Sequence, residues 1–209
     1  MTRPNTIIFR PELAQAVHLG IKTQTRREVK PQPHAGVRPI AIAHPRAPDA
    51  VFEDGHGRPL RCPYGQPGDR LWVRETWAYD LNVDREETPE LLAWIRERGS
   101  SRINFRGTGA QQTGCGGAPG RWRPSIHMPR WASRTTLEII DVRVERLQEI
   151  TEEDARAEGV EPAPFCKAGR PSGMEHVEAF EDLWDSINGA GSWDANPFVW
   201  RIEFRRVEP

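Results

Sequence analysis

Gly20-Ile21-Lys22-Thr23-Gln24-Thr25-Arg26-Arg27 is the stretch on which the reading of this chain turns. It sets a lysine, two threonines and two arginines directly after a short predicted helix over residues 11–19. Pro11 suits the first turn of that helix and Gly20 its C-terminal end. Residues 22–29 alternate well enough to form a strand. Lys and Thr can carry proton transfer and acyl chemistry, and Arg can hold an anion or a base edge. Lining a cavity, this segment is an active or binding site; facing water, it is an ordinary polar strand. Regular strand geometry puts Lys22, Gln24 and Arg26 on one face and Thr23, Thr25 and Arg27 on the other. Direct cooperation of Lys22 with Thr25 therefore requires a turn or bulge between them.

Outward from this segment the chain alternates short strands, short helices and long loops. Residues 6–9 read as a strand. Residues 31–62 are rich in Pro, Gly and His and read as an insertion with room for a short hairpin. The turn Gln66-Pro67-Gly68-Asp69 leads into the strand Leu71-Trp72-Val73 and on to Arg74-Glu75-Thr76-Trp77. A helix is predicted over 88–98, with Thr88 as cap, Pro89 in its first turn and Leu91, Leu92 and Ile95 as its apolar stripe. Residues 99–124 read as a Gly-rich loop and 125–134 as a short polar-aromatic segment.

Residues 135–147 are the clearest strand, and 151–158 a short helix with Thr151 and Asp154 at capping-box spacing and Gly159 at its end. After a third insertion over 161–174 comes an amphipathic helix over 175–187, with Val177, Phe180, Leu183, Trp184 and Ile187 inward. The final strand, 198–207, turns Phe198, Trp200, Ile202 and Phe204 to the core. The pattern predicts one α+β domain over 1–209, built on a small barrel with short flanking helices and long loop insertions.

Composition narrows the function classes. The net charge is -1, so bulk electrostatics do not favour tight non-specific binding to nucleic acid. Mean hydropathy is -0.68, and no apolar run approaches membrane-spanning length. With no apolar signal core at the N-terminus, a soluble cytoplasmic protein is expected. Cys62, Cys115 and Cys166 are odd in number and widely spaced, which argues against a disulfide framework. Drawn with His56 and His127 they could suggest zinc, but no close Cys pair supports it, and no metal or cofactor is expected. No P-loop, dinucleotide fingerprint or nucleophile elbow is present.

The order of motifs resembles the ASCH family, a branch of the PUA-like β-barrel proteins. The resemblance rests on the opening octapeptide, on Pro67-Gly68-Asp69-Arg70-Leu71-Trp72-Val73, on Leu147-Gln148-Glu149-Ile150-Thr151-Glu152-Glu153-Asp154-Ala155-Arg156-Ala157-Glu158-Gly159-Val160, and on Phe198-Val199-Trp200-Arg201-Ile202-Glu203-Phe204. The longer form, with Arg74-Glu75-Thr76-Trp77 and Ile126-His127-Met128-Pro129-Arg130-Trp131-Ala132-Ser133-Arg134, looks like members encoded by phages and prophages. The resemblance implies binding of RNA or modified bases. Some small ASCH proteins hydrolyse the acetyl amide of a modified cytidine, and others are ribonucleases. In the amidohydrolase branch the key lysine, threonine and glutamate correspond to Lys22, Thr25 and Glu158, with Arg27 as the nearby arginine.

On that expectation Thr25 is the nucleophile, Lys22 its base if burial lowers the lysine pKa, and Glu158 either orients Lys22 or shuttles a proton to the leaving amine. Thr23, Arg26 and Arg27 are candidate substrate contacts. A second cluster, Trp72, Arg74, Glu75 and Trp77, could stack on a base and accept from its exocyclic amine, although both tryptophans also suit a core. A third, His127, Arg130 and Trp131 with Arg121, Arg123 and Arg134 close by, reads as a phosphate-binding patch or as a solvated basic loop. The expected partner is a nucleoside, a nucleotide or single-stranded nucleic acid. An amidohydrolase acting on an N4-acetylcytidine-like nucleoside, a non-catalytic reader of modified bases, and a ribonuclease or phage accessory protein all remain open.

Overall fold

A computed structural model describes residues 5–34, 36–39, 52–79, 88–98, 103–107, 119–162 and 173–207. The chain divides into two compact units, each assembled from separated segments: 1–20, 70–138 and 206–209 form the first, and 21–69 and 139–205 the second.

In the first unit, β1 (Asn5–Ile8) runs parallel to β6 (Arg70–Arg74), which pairs antiparallel with the opening residues of β9 (Thr136–Arg146). Between β1 and the unit boundary lies α1 (Pro11–His18), with Pro at its first turn and Ala14 and Val17 buried. β7 (Trp77–Tyr79) pairs antiparallel with β8 (Ile103–Phe105). Trp77, Tyr79, Ile103, Phe105, Met128 and Ala132 form a buried cluster, with Trp131 packed against it. Gly107, at the end of β8, holds φ 93°, and a Cβ there would lie 2.8 Å from the Pro11 carbonyl oxygen. Only glycine lets that turn approach α1 so closely. A further helix, α2 (Pro89–Arg98), begins with proline as expected; the side chains of Leu91, Leu92 and Ile95 lie outside the described residues.

In the second unit, β2 (Gln24–Glu28) pairs antiparallel with β10 (Phe198–Val207) in an unbroken one-to-one register, Thr25 opposite Ile202 and Arg26 opposite Arg201. The strands run in the order β9, β10, β2. Two helices, α3 (Glu152–Ala157) and α4 (Glu175–Asn188), join Leu147, Ile150, Trp193 and Val199 in a second core. β3 (Val37–Pro39), β4 (Phe52–Asp54) and β5 (Pro59–Leu60) form a separate antiparallel meander.

The mixed α+β class stands, but several finer expectations are corrected. The described sheets are open, each ending in edge strands, and do not close into the small barrel. Closure demands a continuous staggered ladder, which these strands do not supply. The Gly-rich stretch 99–124 contributes β8, and the 31–62 insertion carries three strands where a hairpin was expected. The strand after α1 begins at Gln24, leaving Lys22 just ahead of it. Val199 is fully buried because α4 covers its face of β10, whereas Phe198 is half-buried under the Arg146 guanidinium, 3.8 Å from the ring centre. Ile187, expected inward, is exposed near the end of α4. No helix among the described residues is long and apolar enough to cross a membrane. Cys115 and Cys166 lie outside the described residues, and burial pushes the Cys62 thiol up to about 11.

Candidate active site

The second unit brings Lys22 and Glu158 together through the capping of α3. Thr151 accepts a hydrogen bond from the Asp154 N–H at 3.1 Å, and Asp154 accepts one from the Thr151 N–H at 3.3 Å. This reciprocal cap fixes the start of a six-residue helix too short to be stable alone. Gly159, at φ 75°, ends it and leaves Glu158 as the C-terminal cap. The Thr23 N–H donates to the Ala157 carbonyl at 2.9 Å, tying the approach to β2 to the end of the helix.

Lys22 Nζ then lies 2.5 Å from Glu158 Oε2 and 2.7 Å from the Glu158 carbonyl oxygen. Both residues are 2% exposed. Burial lowers the Lys22 pKa from its ordinary value; Glu158 opposes that shift, and the charges of Arg27 and Arg26 add to it. A shift in this direction favours the neutral amine, the form able to accept a proton.

Arg26 completes the arrangement. Its Nη1 is 3.3 Å from Glu158 Oε1, its Nη2 is 2.6 Å from Glu145 Oε1 and 3.2 Å from Asp154 Oδ2, and the guanidinium lies 6.0 Å from the Phe180 ring centre. Gln24 donates to Asp154 Oδ1 at 3.2 Å, and Arg201 Nη2 reaches the same oxygen at 3.2 Å. Burial alone would raise the Asp154 pKa; the charge of Arg26, followed by the hydrogen bonds from the Thr151 N–H and Gln24, holds it below the usual carboxylate range. Lys22, Arg26 and Arg201 thus meet Glu145, Asp154 and Glu158, and Arg201 also lies 3.8 Å from Asp141 and from Glu203 at the edge of the cluster. Each carboxylate oxygen of Glu158 has its own cation.

The side chains of Lys22, Gln24 and Arg26 all reach α3 or its cap, as strand alternation requires. Gln24 and Arg26 sit in regular register on β2, so Thr25 falls on the opposite face, buried opposite Ile202. β2 holds no bulge that would turn Thr25 toward Gln24 and Arg26. Thr23 is exposed, and Arg27, opposite Trp200, is half-buried.

The other candidates belong to the first unit. Glu75 is fully buried and is held by both arms of Arg134, at 3.0 Å from Nε and 2.8 Å from Nη2. Burial raises the Glu75 pKa, and Arg134 works against that rise. Arg134 also donates to Gln15 at 3.1 Å and lies 4.2 Å from the Phe105 ring centre. Glu75 is therefore committed to an internal ion pair in this state. Trp72 is buried under Arg74, whose guanidinium is 4.8 Å from its ring centre, and Trp77 is buried edge-on against Tyr79 and Trp131. These two tryptophans fill core volume.

His127 and Arg130 are exposed and Trp131 half-buried. Arg121, Trp122, Arg123, Pro124 and His127 line an open cleft of about 440 Å³. Arg123 stacks 4.6 Å from the Tyr79 ring centre, which anchors one wall.

Sequence reasoning missed Glu145 and Arg201 and read Asp154 only as a cap. The alternation of Gln24 and Arg26 with Lys22 was the available signal for a shared face; their carboxylate partners come from distant segments and left no local trace. Comparison with protein-family models, curated proteins and solved structures gives no match.

Proposed function

We propose that this chain is an ASCH-type, PUA-like protein that binds nucleosides or RNA and hydrolyses an amide on an acylated nucleoside of the N4-acetylcytidine kind. The observation that carries the reading is the buried Lys22–Glu158 pair, 2.5 Å apart, whose lysine is shifted by burial toward the neutral amine. Amide hydrolysis needs a base for the nucleophile and an acid for the leaving amine. As the neutral amine, Lys22 takes a proton from water while the water oxygen bonds to the acyl carbon, and that proton passes through Glu158 to the exocyclic nitrogen as its bond to the acyl carbon breaks. Arg26 holds one oxygen of Glu158 in place at 3.3 Å. Water serves better than Thr25 as nucleophile, because Thr25 lies across the strand from Gln24 and Arg26. Incubation with N4-acetylcytidine, with release of cytidine followed by chromatography, tests the reading; turnover no greater than that of Lys22→Ala removes it.

A second reading draws on the cleft at 121–127. Arginines, an imidazole and Trp122, 37% exposed, offer phosphate contacts and a stacking surface. This favours a reader of single-stranded nucleic acid or modified bases, with or without hydrolysis. Binding that does not weaken with salt counts against it.

A further inference from the structure

We propose that a second cleft of the second unit, at the C-terminal end of β2, binds a 5′-phosphorylated nucleotide by its phosphate and base. The cleft holds about 410 Å³ and is lined by residues 28–31, 58–61, 63 and 64, with Trp200 from β10. That volume falls at the lower end of the roughly 300–1,000 Å³ of small-molecule pockets. Its walls carry Lys30, Arg58 and Arg61 and the half-buried ring of Tyr64; Glu28 pairs with Lys30, Asp54 pairs with Arg58, and the Trp200 ring is 2% exposed. An anion with a flat apolar portion satisfies both features; neither an apolar molecule nor a cation does. Planar guanidinium groups match phosphate oxygens, and an accessible aromatic ring, here Tyr64, takes a base by stacking.

The wall is built before any ligand arrives. Asp54 is fully buried and accepts from the His56 and Arg58 N–H groups at 3.0 and 2.9 Å, which sets the turn between β4 and β5. Asp54 Oδ2 lies 3.2 Å from Arg58 Nε, and Arg58 Nη2 donates to the Gln32 carbonyl at 3.3 Å, so this guanidinium is held by its back edge. Phe52 meets Trp200 edge-on, with ring centres 6.1 Å apart, and fixes the indole. Lys30 is 76% exposed at its side chain and paired with Glu28 at 2.9 Å, an exchangeable surface contact that a phosphate can replace. The insertion over 31–62, without a role in the sequence reading, thereby supplies five of the eleven lining residues. This site shares no residue with the Lys22 cluster; its first lining residue on β2, Glu28, lies two positions, roughly 7 Å of strand, beyond Arg26.

Calorimetric titration of the intact chain with AMP, adenosine and inorganic phosphate tests the proposal. AMP is expected to bind at least about tenfold more tightly than either fragment. Lys30→Ala and Arg61→Ala each weaken AMP by about fivefold and leave adenosine unchanged. Tyr64→Leu weakens AMP and adenosine but spares phosphate. A 5′-phosphorylated RNA trinucleotide and its unphosphorylated twin distinguish a free nucleotide from a strand end: the site accepts strand ends if the phosphorylated form binds like AMP, and free nucleotides alone if only AMP binds. No AMP binding at about 10 mM, or AMP binding indifferent to Lys30→Ala and Arg61→Ala, overturns the proposal. N4-acetylcytidine turnover is unchanged by these variants, so the two sites succeed or fail separately.

Discussion

Lys22 Nζ lies 2.5 Å from a carboxylate oxygen of Glu158, a residue 136 positions further along the chain. Neither group meets solvent to any extent, and the second oxygen of Glu158 is taken by Arg26 at 3.3 Å. Removing one partner of such a pair strands a buried charge and is expected to cost about 3–5 kcal/mol. Lys22→Met and Glu158→Leu should each do so in urea unfolding, while the double variant costs less than the sum of the two. Strict additivity would mean that the two groups do not interact.

Thr25 shares its face of β2 with Arg27, opposite the face of Gln24 and Arg26. If water is the nucleophile, Thr25→Val keeps kcat/KM within about threefold of the parent. A loss of about 100-fold or more in a folded variant would restore the hydroxyl as nucleophile.

His18 gives the first unit a pH dependence. Its Nδ1 lies 2.9 Å from Thr135 Oγ1. Burial, then the charges of Arg134 and Arg206, lower its pKa from 6.5 to about 4. Between those values the unfolded chain carries a proton on His18 that the folded chain refuses. Stability therefore falls as pH drops from about 6.5 to about 4. His18→Gln should flatten that part of the profile in thermal melts collected across the window; an unchanged slope would place the dependence elsewhere.

The cleft at 121–127 predicts a salt signature. Arg121→Ala and Arg123→Ala should each weaken single-stranded RNA and lower the slope of log affinity against log salt by about one. The weakening should be uniform across sequences, because phosphate contacts carry no base information. Variants that bind like the parent would assign the arginines to a solvated loop.

Elements with strong local signals were legible: Pro11 opens α1, the Thr151–Asp154 cap starts α3, and the apolar spacing of Val177, Phe180 and Trp184 marks α4. β8 was not, because three residues, Ile103-Asn104-Phe105, inside a Gly-rich stretch gain strand character only by pairing with β7. The barrel expectation came from the pattern of several strands with a few short helices, which carries no information on sheet closure. At the site, the faces of residues 22–27 followed from period-two alternation. Arg26 was taken for a substrate contact because its partner Glu145, 119 residues away, cannot be inferred from spacing. Glu75 looked available for a base for the same reason; Arg134 occupies it from 59 residues away.

The most direct test compares cytidine release from N4-acetylcytidine by the parent chain and by Glu158→Gln, at pH values where circular dichroism shows both folded. A proton relay through Glu158 predicts a fall in kcat/KM of about 100-fold or more, with binding of the nucleoside little changed. Equal turnover by the two proteins, or none by the parent, would contradict the assignment of Lys22 and Glu158 as a catalytic pair.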